Sequence, residues 1–143
     1  MDDIERLTAI EEIRRLKARY FRCLDTKDWD GFRDVFASDA EMDMRAEAGD
    51  RGLVHGSQAI ADFVRGVVGD VRTVHHGHMG EIELTSPTTA TGIWAMEDLL
   101  RWPAGGPYGS MHGWGHYHET YAKQADAWRI QTLTLTRLRL DFD

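Results

Sequence analysis

An aspartate and a histidine cluster are the residues of this chain that could do chemistry together. Asp25 closes the first stretch of helical pattern, and farther along the chain reads Thr73-Val-His75-His76-Gly-His78. A carboxylate that orients an imidazole fixes its tautomer and stabilises the imidazolium, which suffices to take a proton from carbon. We therefore expect no cofactor and no metal if the two side chains meet. Alternatively, Asp25 only begins a turn and His75 is a core histidine bonded to backbone.

Composition predicts a single domain over residues 1–143, because this length is near the commonest domain size. The formal net charge of -7 disfavours nucleic acid and acidic substrates, since binding to phosphates needs a basic face. The single cysteine, Cys23, falls in a helical pattern and is expected to be buried and reduced. No secretory segment or long apolar run is present, so we expect a cytoplasmic protein without membrane association.

Apolar residues at spacings of three and four predict three N-terminal helices. The second is expected behind Asp28 and the third behind Ser57, with a turn at Gly52 to Gly56 before the third. Asp2, Asp3, or Thr8 with Glu11, could cap the first helix. Its apolar stripe consists of Ile4, Leu7, Ile10, Ile13, Leu16, Tyr20, Phe21 and Leu24.

Alternating apolar residues replace the helical spacing from about residue 73 onward. The last four predicted strands can run antiparallel through short turns. Three helices packed on one strongly curved, mixed and mostly antiparallel sheet are the simplest closed arrangement, an α+β fold that encloses a conical pocket. The predicted strands are Glu41–Arg45, Thr73–Leu84, Thr89–Arg101, Ser110–Lys123 and Trp128–Leu140.

The strand alternation also predicts the wall of this pocket. Trp94, Met96 and Asp98 share one face of their strand, and Met42 and Met44 share a face of the first strand. Methionine and tryptophan suit a flat hydrophobic ligand, although they could equally be ordinary core. An inward Asp98 in such a wall could donate a proton, whereas at a strand end it would be an ordinary surface charge.

Alternation divides the histidines between the two faces of the sheet. His75 is expected to share a face with Gly77 and Met79, while His76 and His78 share the other. A second group, His112, His116 and His118, alternates onto one face and could be a metal cluster or a sheet surface. Metal binding is the weaker interpretation, because no carboxylate or cysteine falls at a helpful spacing.

Several segments in their order resemble the SnoaL-like members of the NTF2-like superfamily, in the neighbourhood of scytalone dehydratase and hexachlorocyclohexane dehydrochlorinase. This resemblance implies an α+β cone with a deep pocket between the first helix and the concave sheet face. It also implies that Asp25 and His75 occupy the positions of the catalytic dyad of those enzymes. The matching segments are Leu24-Asp25-Thr-Lys-Asp28-Trp29, Asp39-Ala-Glu-Met-Asp-Met, Gly56, Thr73-Val-His75, and Gly115-His-Tyr117 ahead of Trp128-Arg-Ile130.

The resemblance further suggests that Gly113, Gly115 and Tyr117 line the cavity, the glycines leaving room for a ligand and the tyrosine supplying a hydroxyl. Tyr20 and Tyr117 would then be donors to a developing oxyanion or leaving group. The chain also departs from the two enzymes, so neither specific activity is implied. Leu24 and Met44 stand where scytalone dehydratase has tyrosines, Gly115 at its second histidine, and Tyr20 at the lysine of the dehydrochlorinase.

The leading hypothesis is a cofactor-independent lyase or isomerase in which His75 removes a carbon-bound proton and Asp25 stabilises the imidazolium. The expected substrate is a small hydrophobic cyclic or aromatic molecule. The alternative is a non-catalytic ligand-binding or assembly module on the same fold. A homo-oligomer, dimer or trimer, is also expected, with Trp114 and the neighbouring histidines at the subunit contact.

Overall fold

The computed structural model describes all 143 residues, from Met1 to Asp143, as four helices packed on one six-stranded sheet. The predicted α+β fold is confirmed, with a curved and unclosed sheet. The elements are α1 (Asp3–Asp25), α2 (Trp29–Asp34), β1 (Phe36–Asp43), α3 (Arg45–Ala48), β2 (Leu53–His55), α4 (Ser57–Val68), β3 (Arg72–Ser86), β4 (Thr89–Arg101), β5 (Ser110–Gln124) and β6 (Ala127–Phe142).

Helix α1 begins with a capping box and ends at Asp25. The Asp2 side chain accepts the backbone N–H of Glu5, and the Glu5 side chain accepts the backbone N–H of Asp2. After Asp25 the chain turns at once, because Lys27 adopts a left-handed backbone conformation with φ of 62°. The turn leaves the Asp25 carboxylate at the helix end. The buried face of the helix contains Ala9, Ile13, Leu16, Lys17, Tyr20, Cys23 and Leu24.

The strand order is β2-β1-β6-β5-β4-β3, in which β1 and β6 are parallel and every other pair is antiparallel. β3 to β6 therefore form consecutive hairpins, as the alternation predicted. Register shifts interrupt the pairing between His78 and Glu81 in β3 and between Trp114 and Gly115 in β5. Such irregularities bend and twist a strand, in keeping with the curvature of the sheet.

The core lies between the helices and the concave face of the sheet. Its 25 buried residues form one cluster, which includes Ile13 and Leu16 of α1, Ile60 of α4, and Ile130 and Leu133 of β6. No helix in the chain combines the length and apolar character that crossing a membrane requires.

The structure corrects the sequence prediction between α2 and α4. β1 begins at Phe36 rather than at residue 41, because two adjacent buried residues, Phe36 and Ala37, and a register shift before Glu41 hide its alternation. Residues 44–52 form α3 and a 3-10 turn instead of extending the strand, so there are four helices rather than three. Part of the predicted turn is the short strand β2, which pairs with β1.

Candidate active site

Asp25 and His75 are in direct contact at the end of α1. Asp25 Oδ1 lies 2.7 Å from His75 Nδ1, and Asp25 Oδ2 accepts the backbone N–H of His75 at 2.8 Å. Thr73 Oγ1 donates to Asp25 Oδ1 at 2.9 Å and accepts from Lys27 Nζ at 3.0 Å. Because a carboxylate can only accept, the neutral ring carries its hydrogen on Nδ1 and leaves a lone pair on Nε2. The arrangement can therefore present a base.

The helical repeat of α1 and the two-residue repeat of β3 bring Asp25 and His75 to the same side of the sheet. Thr73 and His75 point to the inner face of β3, and Asp25 lies at the end of the helix that packs on that strand. His76 and His78 point outward, where His78 Nε2 lies 3.2 Å from Glu97 Oε1. The expectation that Met79 shares the inner face is wrong: the bulge after His78 turns it outward, and it is 95% exposed.

A second carboxylate faces the other ring nitrogen of His75. Asp98 Oδ2 lies 3.8 Å from His75 Nε2, and Arg137 binds both oxygens of Asp98, at 2.6 Å and 3.0 Å. Arg137 Nε donates to Glu47 on α3. Burial alone would lower the pKa of Arg137, but hydrogen bonds and charge from Asp98 and Glu47 raise it. Asp98 is inward and buried, so it is not an ordinary surface charge, and both of its oxygens accept from Arg137. Proton donation by Asp98 stays a prediction.

Side chains and backbone of the protein itself fill the space beside the glycines of β5. A side chain at Gly113 would collide with Arg137 and Asp98, and one at Gly115 would collide with the backbone carbonyl of Thr136 at the bulge. The expectation that these glycines leave space for a ligand is therefore wrong. Gly113 instead permits the Asp98–Arg137 pair to lie against the sheet.

The predicted pocket wall is packed together in the structure. Tyr20 and Tyr117 have ring centroids 5.7 Å apart in an edge-to-face arrangement. Met44 is only partly buried and follows the end of β1. Ligand binding by these side chains stays a prediction, and their packing also fits the ordinary-core alternative. The buried members of the wall are Tyr20, Met42, Trp94, Met96, Asp98 and Tyr117.

The sequence analysis missed a buried ion pair between α1 and β5. Lys17 Nζ lies 2.5 Å from Glu119 Oε2, and neither side chain is more than 1% exposed. Tyr121 donates to Glu119 Oε1 at 2.6 Å and accepts from Trp94 Nε1 at 2.9 Å. Two patterns could have revealed it: Lys17 interrupts the buried face of α1, and Glu119 falls on the inward alternation of β5.

Burial changes the pKa values of this inner region. Desolvation lowers the pKa of Lys17 to about 8, although Glu119 opposes the change. The Lys17 ammonium also lies 3.6 Å from the ring centroids of both Tyr20 and Tyr117. Burial, followed by nearby negative charge, raises the pKa of Tyr20 and of Tyr121, and burial raises the pKa of Tyr117 well above its usual range.

These shifts predict how stability depends on pH. Between pH 8 and pH 10 the unfolded chain holds a proton on Lys17 that the folded protein has released, so the free energy of unfolding rises with pH. Above pH 10 the sign reverses, because unfolded tyrosines release protons that the folded protein keeps. Urea unfolding from pH 7 to pH 11 measures both effects. In the double variant Lys17→Met, Glu119→Gln the part of the rise that comes from Lys17 should be lost, while the smaller contribution of Lys27, whose pKa is also lowered by burial, remains. An equal rise there would contradict the assignment to Lys17.

The second histidine group does not form a common site. His112 Nε2 lies 2.9 Å from Glu97 Oε2 and its ring stacks on Trp114 with centroids 3.9 Å apart, whereas His118 Nε2 lies 3.0 Å from Thr136 Oγ1. No group of three or more His, Cys, Asp or Glu side chains is arranged to hold a metal ion. The geometry thus favours the sheet-surface interpretation of His112, His116 and His118.

The outer sheet face around these histidines is partly apolar. Val74 is 46% exposed, and Ile93 and Leu99 are each 39% exposed. This face is the one on which subunit contacts were expected, and oligomerisation stays a prediction.

Three open grooves on the surface lie away from the dyad. One of about 680 Å³ is lined by residues that include Leu99, Met111 and Phe142, and neither Asp25 nor His75 borders it. The side chains of His75 and Asp98 are only 9% and 5% exposed. A group that reaches His75 Nε2 is therefore largely removed from water, and the deep pocket stays a prediction.

A family model for the SnoaL-like domain matches residues 5–134. The chain belongs to this family. A relative named "probable cyclase FGR4", from Gibberella zeae, is 29% identical over 135 residues, which cover 88% of this chain and 89% of the relative. The recognition of the SnoaL-like domain from the motifs around Asp25 and His75 is confirmed.

Solved structures show the same fold as this SnoaL-like domain. A type 2 hexachlorocyclohexane dehydrochlorinase, LinA, superposes with a TM-score of 0.87 at 19% identity, covering 99% of this chain and 93% of that one. A candidate scytalone dehydratase from Novosphingobium aromaticivorans gives a TM-score of 0.86 at 20% identity, covering 98% and 91%. At these identities the likeness establishes the NTF2-like fold, as the sequence predicted.

Proposed function

We propose that this SnoaL-like domain is a cofactor-independent lyase or isomerase that removes a carbon-bound proton from a small hydrophobic cyclic or aromatic compound. The observation that carries the proposal is the contact between Asp25 and His75, with three donors fixing the carboxylate. A base in a site of low exposure is also poorly solvated, which strengthens its interaction with charge that develops nearby.

The proposed reaction begins when the lone pair of His75 Nε2 takes a proton from carbon. Asp25 then stabilises the imidazolium, because its carboxylate faces the Nδ1–H at 2.7 Å. The electrons left on carbon pass to an adjacent carbonyl as an enolate, which either expels a leaving group or is reprotonated elsewhere. The first outcome is an elimination and the second an isomerisation.

The names of the similar proteins support this class of reaction. They describe a cyclase, a dehydrochlorinase and a candidate dehydratase. Eliminations and many cyclisations can start by removing a proton from carbon, so one base and its orienting carboxylate serve all three. The individual substrates do not transfer to this chain, since it lacks the tyrosines and the lysine that the resemblance associates with those enzymes.

The first test uses 3-hydroxycyclohexanone, a small cyclic ketone with acidic C–H bonds and a hydroxyl group. In D2O, proton NMR should show deuterium entering the carbon between the carbonyl and the hydroxyl-bearing carbon, at a rate proportional to protein concentration. The variant His78→Ala, altered at an exposed histidine of the same strand, should match the wild type. No exchange above the buffer rate with this or larger cyclic ketones would contradict the proposal.

A further inference from the structure

Lys27 occupies a backbone position that glycine usually fills. It follows the C-cap of α1, Thr26, and its φ of 62° lies in the left-handed region. The backbone N–H of Lys27 bonds the carbonyl of Leu24 at 3.2 Å, and that of Asp28 bonds the carbonyl of Cys23 at 2.8 Å. These two bonds form a Schellman motif, in which glycine avoids the steric cost that a side chain adds. A lysine therefore gives this turn no conformational advantage.

The Lys27 side chain crosses from the end of α1 to β3. Its Nζ donates to Thr73 Oγ1 at 3.0 Å, and Thr73 Oγ1 donates to Asp25 Oδ1 at 2.9 Å. An ammonium group has hydrogens and no lone pair, so Thr73 can only accept from Lys27. The single hydrogen of the Thr73 hydroxyl is then free for the carboxylate, which can only accept. The direction of both hydrogen bonds is thus fixed, from Lys27 through Thr73 to Asp25.

We infer that Lys27 is a positioning residue of the proposed reaction, which acts through Thr73 to hold the Asp25 carboxylate in the orientation that keeps hydrogen on His75 Nδ1. The inference rests on the proposed function and adds a residue to its site. Asp25 Oδ1 lies 2.7 Å from His75 Nδ1 and also accepts the hydroxyl of Thr73, so a rotation of the carboxylate would disturb both bonds. The base nitrogen, His75 Nε2, faces Asp98 on the other side of the ring. Lys27 therefore acts from behind the base.

The charge of Lys27 strengthens this chain of hydrogen bonds. A hydroxyl that accepts from an ammonium becomes a stronger donor, and a bond to an ionised carboxylate is stronger than a neutral one. Burial lowers the pKa of Lys27, while the negative charge of Asp25, and then that of Asp70, opposes the change. The charges of Lys27 and Asp25 thus attract each other across the hydroxyl of Thr73, which is itself only 6% exposed.

The variant Lys27→Gly separates positioning from a structural role. Glycine suits a φ of 62°, so urea unfolding should show a stability equal to or above that of the wild type. The rate of deuterium exchange into 3-hydroxycyclohexanone at saturation should nevertheless fall about tenfold, the effect of losing a hydrogen bond to a charged group. The KM should stay within about twofold, because the lysine lies behind the base. An exchange rate within about twofold of wild type would overturn the inference.

Further variants test the charge and the backbone strain separately. Lys27→Arg keeps a cation that can only donate and should retain at least about a third of the wild-type rate, whereas Lys27→Met should lose as much as Lys27→Gly. Asp126→Gly relieves the same φ of 62° in the turn between β5 and β6 and should leave the rate unchanged. Full activity in Lys27→Met, or an equal loss in Asp126→Gly, would overturn the inference.

A double-mutant cycle determines whether Lys27 acts through Thr73. Thr73→Val removes the hydroxyl and should lower the exchange rate about as much as Lys27→Gly does. The variant with both substitutions should be no slower than Thr73→Val alone, because the lysine then has no hydroxyl left to direct. A loss equal to the product of the two single losses would overturn the inference.

The backbone N–H of His75 separates this inference from the proposed function. β3 is an edge strand, and this N–H bonds Asp25 Oδ2 at 2.8 Å. Hydrogen exchange of the protein without substrate, followed by NMR, should show several-fold weaker protection of this N–H in Lys27→Gly and unchanged protection in Asp126→Gly. Weaker protection in Lys27→Gly with no substrate exchange in the wild type would support the hold on Asp25 and contradict the lyase or isomerase proposal. Substrate exchange in the wild type, with the same rate and the same protection in Lys27→Gly, would leave proton abstraction standing and overturn the inference.

Discussion

Replacing Asp25 with asparagine should lower the rate of α-proton exchange by about 10²- to 10⁴-fold, the contribution typical of general base catalysis. Both Asp25 oxygens accept hydrogens, Oδ2 from the His75 backbone and Oδ1 from Thr73 and the His75 ring. The NH2 group of asparagine must face one of these positions. The backbone N–H cannot become an acceptor, whereas the ring can, by moving its hydrogen to Nε2. The variant thus favours the tautomer that has no base toward the substrate.

A control for this variant lies in the next turn of the chain. Asp28→Asn makes the same chemical change at the N-cap of α2, where Asp28 accepts the backbone N–H of Gly31 at 3.0 Å and asparagine caps equally well. Its exchange rate should stay within about twofold of wild type. Full activity in Asp25→Asn would show that the carboxylate does not orient the base.

Glu119→Gln should lower the free energy of unfolding by about 3–5 kcal/mol, because it leaves the buried charge of Lys17 without its counter-charge. The amide also places an NH2 group against Lys17 or against the donating hydroxyl of Tyr121. Urea unfolding gives the free energy, and the Tm should fall by roughly 10–20 °C.

Two comparisons isolate the ion pair from the general effect of substitution. Glu11→Gln removes one partner of an exposed pair with Arg15 on the same helix and should change stability by less than about 0.5 kcal/mol. The double variant Lys17→Met, Glu119→Gln removes the buried charge itself and should recover at least about half of the loss. A single variant as stable as wild type would contradict the view that Lys17 is charged against Glu119 in the core.

Local periodicity accounts for what the sequence could predict. The spacing of apolar residues placed Asp25 at the end of α1, and alternation placed His75, Trp94, Met96 and Asp98 on inner faces, as the structure shows. Each of these positions follows from the periodicity of side-chain directions within a single helix or strand. The resemblance then supplied the pairing of Asp25 with His75, which no local pattern contains.

Pairings between distant residues were beyond the reach of such patterns. Arg137 binds Asp98, 39 residues earlier, and Glu47, 90 residues earlier, and Lys17 meets Glu119 across 102 residues. The tertiary fold determines which buried acidic and basic side chains form ion pairs. Bulges escaped prediction for a similar reason: one extra residue after His78 turned Met79 to solvent, and the sequence there carries no signal beyond Gly80.

The central claim, that Asp25 orients His75 as a base, is tested most directly by the ring nitrogens of His75. Two-dimensional ¹H–¹⁵N NMR of ¹⁵N-labelled protein identifies which nitrogen of a neutral imidazole carries the hydrogen. We expect the Nδ1–H form in the wild type and a shift toward the Nε2–H form in Asp25→Asn. An Nε2–H ring in the wild type, or a ring that does not respond to the substitution, would contradict the central claim.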